Sequence, residues 1–192
     1  MRKVVLAAIW LCVCVSFARA EDLQGPSKDT FNRGLAAYDA GRYEEAYKIF
    51  SSIDDENLAA MRNVAYMRRY GQGTKRDPQG AIEMYQSAAA AGLPTAQADL
   101  GEMLMNGEAG KPNPVAAAPW LALAASAHHP LAEFELGELY EAGSGVDQNL
   151  EQARELYKDA AARDVPGAKE RLAALDARPP APAAPVPRRS DP

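Results

Sequence analysis

Between residues 60 and 172 apolar positions recur at helical spacing, and the recurrence itself repeats. Ala96, Leu100, Met103 and Leu104, and then Ala132, Leu136, Leu139 and Tyr140, fall at i, i+4, i+7 and i+8, the spacing of one buried helix face. The two sets stand 36 residues apart, and the same offset runs through the whole segment without a gap. Ala60, Ala96, Ala132 and Ala168 are in register, followed by Val64, Leu100, Leu136 and Leu172. Ala65, Gly101 and Gly137 come next, then Gly71, Gly107 and Gly143, and the register continues through Asp77, Asn113 and Asn149. Ala81, Ala117 and Ala153, Tyr85, Leu121 and Tyr157, and Pro94, Pro130 and Pro166 complete the column set.

Each unit reads as a pair of helices. The first is expected from about Ala60 to Tyr70, Ala96 to Asn106 and Ala132 to Ala142, ended by glycine. The second is expected to start where Asp77 or Asn113 caps the exposed amides and Pro78 or Pro114 takes the first turn, where no amide hydrogen is needed. Pro94, Pro130 and Pro166 are expected to stop that second helix, and Pro119 to kink its copy in the second unit or delay its start to about residue 118. One such pair cannot bury its apolar face alone, whereas a stack of three or more can. The expected architecture is therefore all-α, a solenoid of stacked antiparallel helix pairs.

The pattern A-x3-L-G-x2-[YL]-x2-G, a short loop, [DN]-x3-A-x3-[YL]-x2-A-A and a proline resembles the Sel-one-like repeat (SLR) family, a relative of the tetratricopeptide repeat. The resemblance covers Ala60 to about Leu172. Ahead of it, Gly34, Gly41, Tyr43, Ala46 and Phe50 resemble one tetratricopeptide unit with a tight turn at Gly41-Arg42. The resemblance implies a right-handed superhelix divided into a leading pair at 27–58, repeats at 59–94, 95–130 and 131–166, and a capping helix at 167–176. It also implies that the first helix of each pair lines a concave face. Carried over position by position, that face comprises Phe31, Leu35 and Tyr38, then Arg62, Tyr66, Arg69 and Tyr70. Further along it has Ala98, Glu102, Met105 and Asn106, and then Phe134, Glu138 and Glu141. Such a face is basic and aromatic early and acidic late, suited to an extended peptide of opposite polarity. A second reading of Tyr66, Tyr70 and Phe134 is that they fill the core between repeats.

Residues 1–20 read as a signal peptide: Arg2 and Lys3, an apolar run from Val4 to Phe17, and a small-x-small site at Ala18-Arg19-Ala20. The apolar run is shorter than the ~20 residues a membrane span needs. Cleavage after Ala20 would remove both cysteines, Cys12 and Cys14, and take the net charge from −5 to −8, leaving no disulfide framework. From 177 to 192 the tail has six prolines, four alanines and three arginines, too little apolar bulk to pack. It reads as a solvated, disordered segment, with a weak wall or membrane-surface contact through Arg178, Arg188 and Arg189 as the sharper alternative.

The acidic balance and scattered Lys and Arg argue against nucleic acid as a partner. Nucleophilic catalysis needs a Ser, Thr or Cys held by a base, and the histidines are confined to the adjacent pair His128-His129, read as exposed turn residues. Gly71-Gln72-Gly73 and Gly143-Ser144-Gly145 end helices and precede no lysine-serine pair, so no phosphate loop is expected. No metal or other cofactor is implied. The chain reads as a non-catalytic exported scaffold, periplasmic or secreted, that binds another protein of the bacterial envelope through its concave face. An envelope enzyme or ligand-binding protein acting on peptidoglycan or β-lactams is the alternative.

Overall fold

Asp77, Asn113 and Asn149 each accept a hydrogen bond from the amide three residues on, at 2.9, 3.1 and 3.1 Å. These caps satisfy amides that a helix start leaves bare, and in each case a helix follows. The structure, a computed structural model, describes residues 25–53 and 57–178; the expected leader at 1–20 and the tail from 179 lie outside them. The helices are α1 (Gly25–Asp39), α2 (Tyr43–Ser51), α3 (Leu58–Tyr70), α4 (Pro78–Ala90), α5 (Pro94–Asn106), α6 (Pro114–Ser126), α7 (Pro130–Ala142), α8 (Leu150–Ala162) and α9 (Ala168–Asp176). The described residues contain no strand.

The first helices end as expected. Gly71, Gly107 and Gly143 take φ of 71°, 69° and 65°, and their amides bond back to Met67, Met103 and Leu139, a left-handed cap that a Cβ would penalise. The prolines act differently from expectation. Pro94 and Pro130 open α5 and α7 at the first helical turn, where a missing amide costs nothing. The second helices have already stopped at a left-handed residue two places earlier: Gly92, His128 and Asp164, with φ of 91°, 58° and 55°. The amides of Leu93, His129 and Val165 then bond back to Ala88, Ala124 and Ala160. Pro119 neither delays nor breaks α6, which starts at Pro114 and carries it inside. Its ring lies on the exposed side of the helix, where water can take the carbonyl that loses its donor.

Each helix packs on the next in sequence, and α5 also packs on α7. The buried side chains form a succession of clusters: α1–α3 around Phe50 and Met67, α3–α5 around Tyr85 and Leu100, α5–α7 around Leu121 and Leu136, and α7–α9 around Tyr157 and Leu175. A core distributed in this way defines a solenoid of stacked antiparallel helix pairs rather than a globule with one centre. Burying each of Tyr85, Leu100, Leu121 and Tyr157 contributes roughly 1.5–3 kcal/mol. Gly101 and Gly137 make the crossings possible. A Cβ there would come within 2.5 Å of Leu121 Cδ2 and 2.7 Å of Tyr157 Cε1.

One second helix departs from its neighbours. On the exposed side α4 presents Gln79, Glu83 and Ser87 and α8 presents Glu151, Glu155 and Asp159, whereas α6 presents Val115, Pro119 and Leu123 at the same register. Val115 and Leu123 are 68% and 49% exposed.

Candidate functional site

The residues expected on the face of the first helices divide into four groups. Tyr38, Tyr66 and Tyr70 come together. Tyr38 lies 5.1 Å from Tyr43 and 6.5 Å from Tyr66, and Tyr66 lies 4.7 Å from Tyr70, between ring centroids. The Tyr38 hydroxyl donates to Gln72 Oε1 at 2.8 Å. Leu35, Tyr38, Arg62 and Tyr66, with Asp39, Asn63, Phe50 and Met67, line a cleft of about 390 Å³ between α1 and α3. Leu35 and Tyr70 are exposed.

The second group is ionic. Arg62 donates to both oxygens of Asp99, from Nε at 2.6 Å and from Nη2 at 3.2 Å, while its guanidinium stands 5.4 Å from the Tyr66 ring. Arg69 is 3% exposed. It donates to Glu102 at 2.8 Å and, through two nitrogens, to Glu108, and it sits 5.0 Å from the Tyr70 ring. Burial works against both guanidinium charges, yet the bonds to the carboxylates outweigh it and hold both pKa values above the ordinary arginine value. These arginines, read from the sequence as contact residues, are committed to the joint between α3 and α5. Behind them the Tyr85 hydroxyl is buried without a hydrogen-bond partner.

The third group, Asn106 apart, packs instead of facing outward. Phe31 stands 5.4 Å from Phe50, Met105 packs on the α5–α7 cluster, and Phe134 lies 5.5 Å from Tyr157 and packs against the clusters of α8 and α9. Asn106 is exposed at the end of α5, and Ala98 is buried. Trp120 packs against the α3–α5 cluster.

The fourth group is the carboxylates of α7. Glu138 accepts from Arg171 at 2.9 Å, and Glu141 accepts from Arg178 and from the Tyr157 hydroxyl. Two more lie close by that the sequence reading passed over. Glu133, 1% exposed, accepts from Arg163 at 2.6 Å. Glu135, 6% exposed, has an Oε2 buried with no partner; burial first, then the nearby charges of Glu102, Glu138 and Asp99, push its pKa up to about 8. Asp99 and Glu135 occupy the same column of the repeat, one place after Ala98 and Phe134, and that column was the available signal.

His128 is exposed, as expected, but His129 is not a free turn residue. It is half-buried, and its Nδ1 accepts from the Ala132 amide at 3.4 Å as the cap of α7. Burial lowers its pKa. No group of three or more His, Cys, Asp or Glu among the described residues converges as a metal-binding cluster.

The chain matches the Sel1 repeat over residues 58–93, 94–129 and 130–165. It belongs to the Sel1 repeat family. Proteins built from Sel1 repeats generally serve as protein-interaction scaffolds and are typically non-catalytic. Among solved structures the chain is similar to a Sel1 repeat protein from Oxalobacter formigenes, at 33% identity and a TM-score of 0.70, over 76% of this chain and 60% of that one. It is also similar to c5321, a protective antigen of uropathogenic Escherichia coli strains with an SLR fold, at 24% identity and a TM-score of 0.73, over 80% and 34% of the two chains. A third is the immunity protein Pa5087 from Pseudomonas aeruginosa, at 26% identity and a TM-score of 0.55, over 79% and 58%. The chain spans less than two thirds of the length of each. No curated protein matches it. The Sel1 repeat boundaries fall just before Leu58, Pro94 and Pro130, at the starts of α3, α5 and α7.

Proposed function

We propose that this Sel1 repeat protein is an exported scaffold that binds an extended segment of another envelope or secreted protein along the face of its first helices. The observation that carries the reading is the Tyr38–Tyr66–Tyr70 array beside the α1–α3 cleft. Its rings are fixed by contact with one another and with Arg62 and Arg69. Rigid aromatic surface of this kind supplies contact area at small entropic cost. Because the arginines are already bound to Asp99, Glu102 and Glu108, they stiffen the face and leave contact to the rings and Leu35. Export rests on the leader pattern of Arg2, Lys3, Val4–Phe17 and Ala18-Arg19-Ala20. No helix of the described residues is long and apolar enough to cross a membrane.

Crosslinking pull-down from intact cells tests this, comparing wild type with a Leu35→Ala/Tyr66→Ala/Tyr70→Ala variant, which leaves every ion pair in place. Capture of a defined protein by the wild type, reduced at least tenfold in the variant, is expected. Equal capture by both, or turnover of muropeptides or a β-lactam by the purified protein, would overturn the reading.

A further inference from the structure

The 36-residue register lets each joint between repeats be laid over the previous one. In the α3–α5 joint, Asp99 receives Arg62 and Glu102 receives Arg69. In the α5–α7 joint the carboxylates are kept, as Glu135 and Glu138, while the places of the two arginines are taken by Ala98 and Met105. The second joint therefore keeps two of the three carboxylates of the first, with Ser144 in the place of Glu108, and has none of its donors. Glu138 finds Arg171 of α9 instead. Glu135 finds nothing, and its Oε2 remains buried without a hydrogen bond.

The charges that face Glu135 are Asp99 and Glu102 from α5, Glu138 from its own helix and Arg69 from α3. Arg69 is already engaged by Glu102 and Glu108, Asp99 by Arg62 and Glu138 by Arg171, so four carboxylates meet three arginines and no donor is left for Glu135. Glu102 and Glu138 at its edge keep 28% and 31% of their side-chain surface exposed. A buried acceptor without a donor is costly, and a compact cation would relieve both the missing bond and the like-charge crowding. Anionic partners such as phosphate backbones or acidic lipid surfaces are repelled by the same charges.

We propose that the α5–α7 joint seats a lysine or arginine side chain of the bound partner segment, with Glu135 as its primary acceptor and Glu102 and Glu138 at the rim. This rests on the reading of the first-helix face as the binding face, and it adds the chemistry of one required partner residue. In the complex Glu135 is ionised, whereas in the free protein its raised pKa of about 8 keeps it largely protonated near neutrality. Seating the cation thus releases a proton, and affinity rises with pH between about 6 and 8.5.

The test uses fluorescence anisotropy with three labelled ten-residue peptides: one alternating Lys or Arg with Ala, one alternating Glu with Ala, and one of Ser and Ala alone. The cationic peptide is expected to bind the full chain at least tenfold tighter than the others. Glu135→Gln is expected to weaken it at least tenfold and to flatten the pH profile. Glu83→Gln, which removes a negative charge on the exposed side of α4, is expected to change it less than twofold. Equal effects of the two variants would reduce the attraction to net charge and overturn the proposal. Tightening of peptide binding by Arg188→Ala/Arg189→Ala would also overturn it, by naming the chain's own tail as the occupant. Preference for the uncharged or acidic peptide, lost in Tyr66→Ala, would leave the binding face standing and remove the cation seat; binding of none of the three removes it as well.

Discussion

The α3–α5 and α5–α7 joints use the same columns of the repeat, yet one is ionically closed and the other is not. In the first, two arginines cross to three carboxylates, and each guanidinium also lies near a tyrosine ring. In the second, Ala98 and Met105 join the apolar packing of α5 on α6 and α7, and Glu135 is left with a buried, partnerless oxygen. The difference teaches that equivalent backbones in a repeat can be locked or left receptive by exchanging two residues of one helix. Glu133 sharpens the point from within a single helix. It is as buried as Glu135, two residues away, and Arg163 at the end of α8 in the same repeat satisfies it.

The largest effect is expected from opening the closed joint. Arg69→Ala leaves Glu102 and Glu108 facing each other and Glu135 without their shared counter-charge, and urea unfolding should show a loss of about 3 kcal/mol. Arg62→Ala converts the first joint into a likeness of the second by orphaning Asp99. A loss of about 1–2 kcal/mol is expected, together with a second binding event for the cationic peptide in anisotropy titrations.

Glu135→Gln should act in the opposite sense. The folded chain holds a proton on Glu135 up to about 8, far above the ordinary value of 4.5. The contribution of this group is thus full below pH ~4.5 and is lost as the pH rises through 8. The glutamine variant should therefore melt about 5 °C higher than wild type at pH 8.5 and at the same temperature near pH 4.5. The smallest effect belongs to His129 at the start of α7. Its lowered pKa gives a contribution that is present above the unfolded value of about 6.5 and lost as the pH falls below it. His129→Asn keeps a side-chain acceptor for the cap and should flatten that loss, a difference of about 0.5 kcal/mol at pH 5.5 by thermal melts.

Much of this architecture was legible in the sequence because its determinants are local. Asp77, Asn113 and Asn149 cap helices wherever they precede them, and Gly71, Gly107 and Gly143 end helices by backbone geometry alone. Pro94 and Pro130 were harder to read because a proline fits equally after one helix and at the opening of the next; the left-handed residues at 92, 128 and 164, two of them not glycine, decide between the two. The face itself was legible only by halves. Helical periodicity tells which side of a helix a residue occupies and not what the neighbouring helix places opposite it. Arg62 and Arg69 therefore looked like free contacts until Asp99, Glu102 and Glu108 were seen across the joint, 33 to 39 residues away. Phe134 read equally as a contact or a core residue, and Tyr157 against it decides for the core. Glu135 was passed over because an isolated glutamate on a helix is ordinarily solvated; only the column shared with Asp99, and the absence of an arginine at 98, distinguish it.

The gapless spacing of the units also sets how such a chain can change length. Since α3, α5 and α7 each begin at the same point of the unit, excising or duplicating 94–129 would join backbone ends that already match, and the helices on either side would meet a familiar surface. Growth or shrinkage by whole rungs is thereby the mildest edit open to the molecule, and it would carry the number of vacant acceptors along the stack with it.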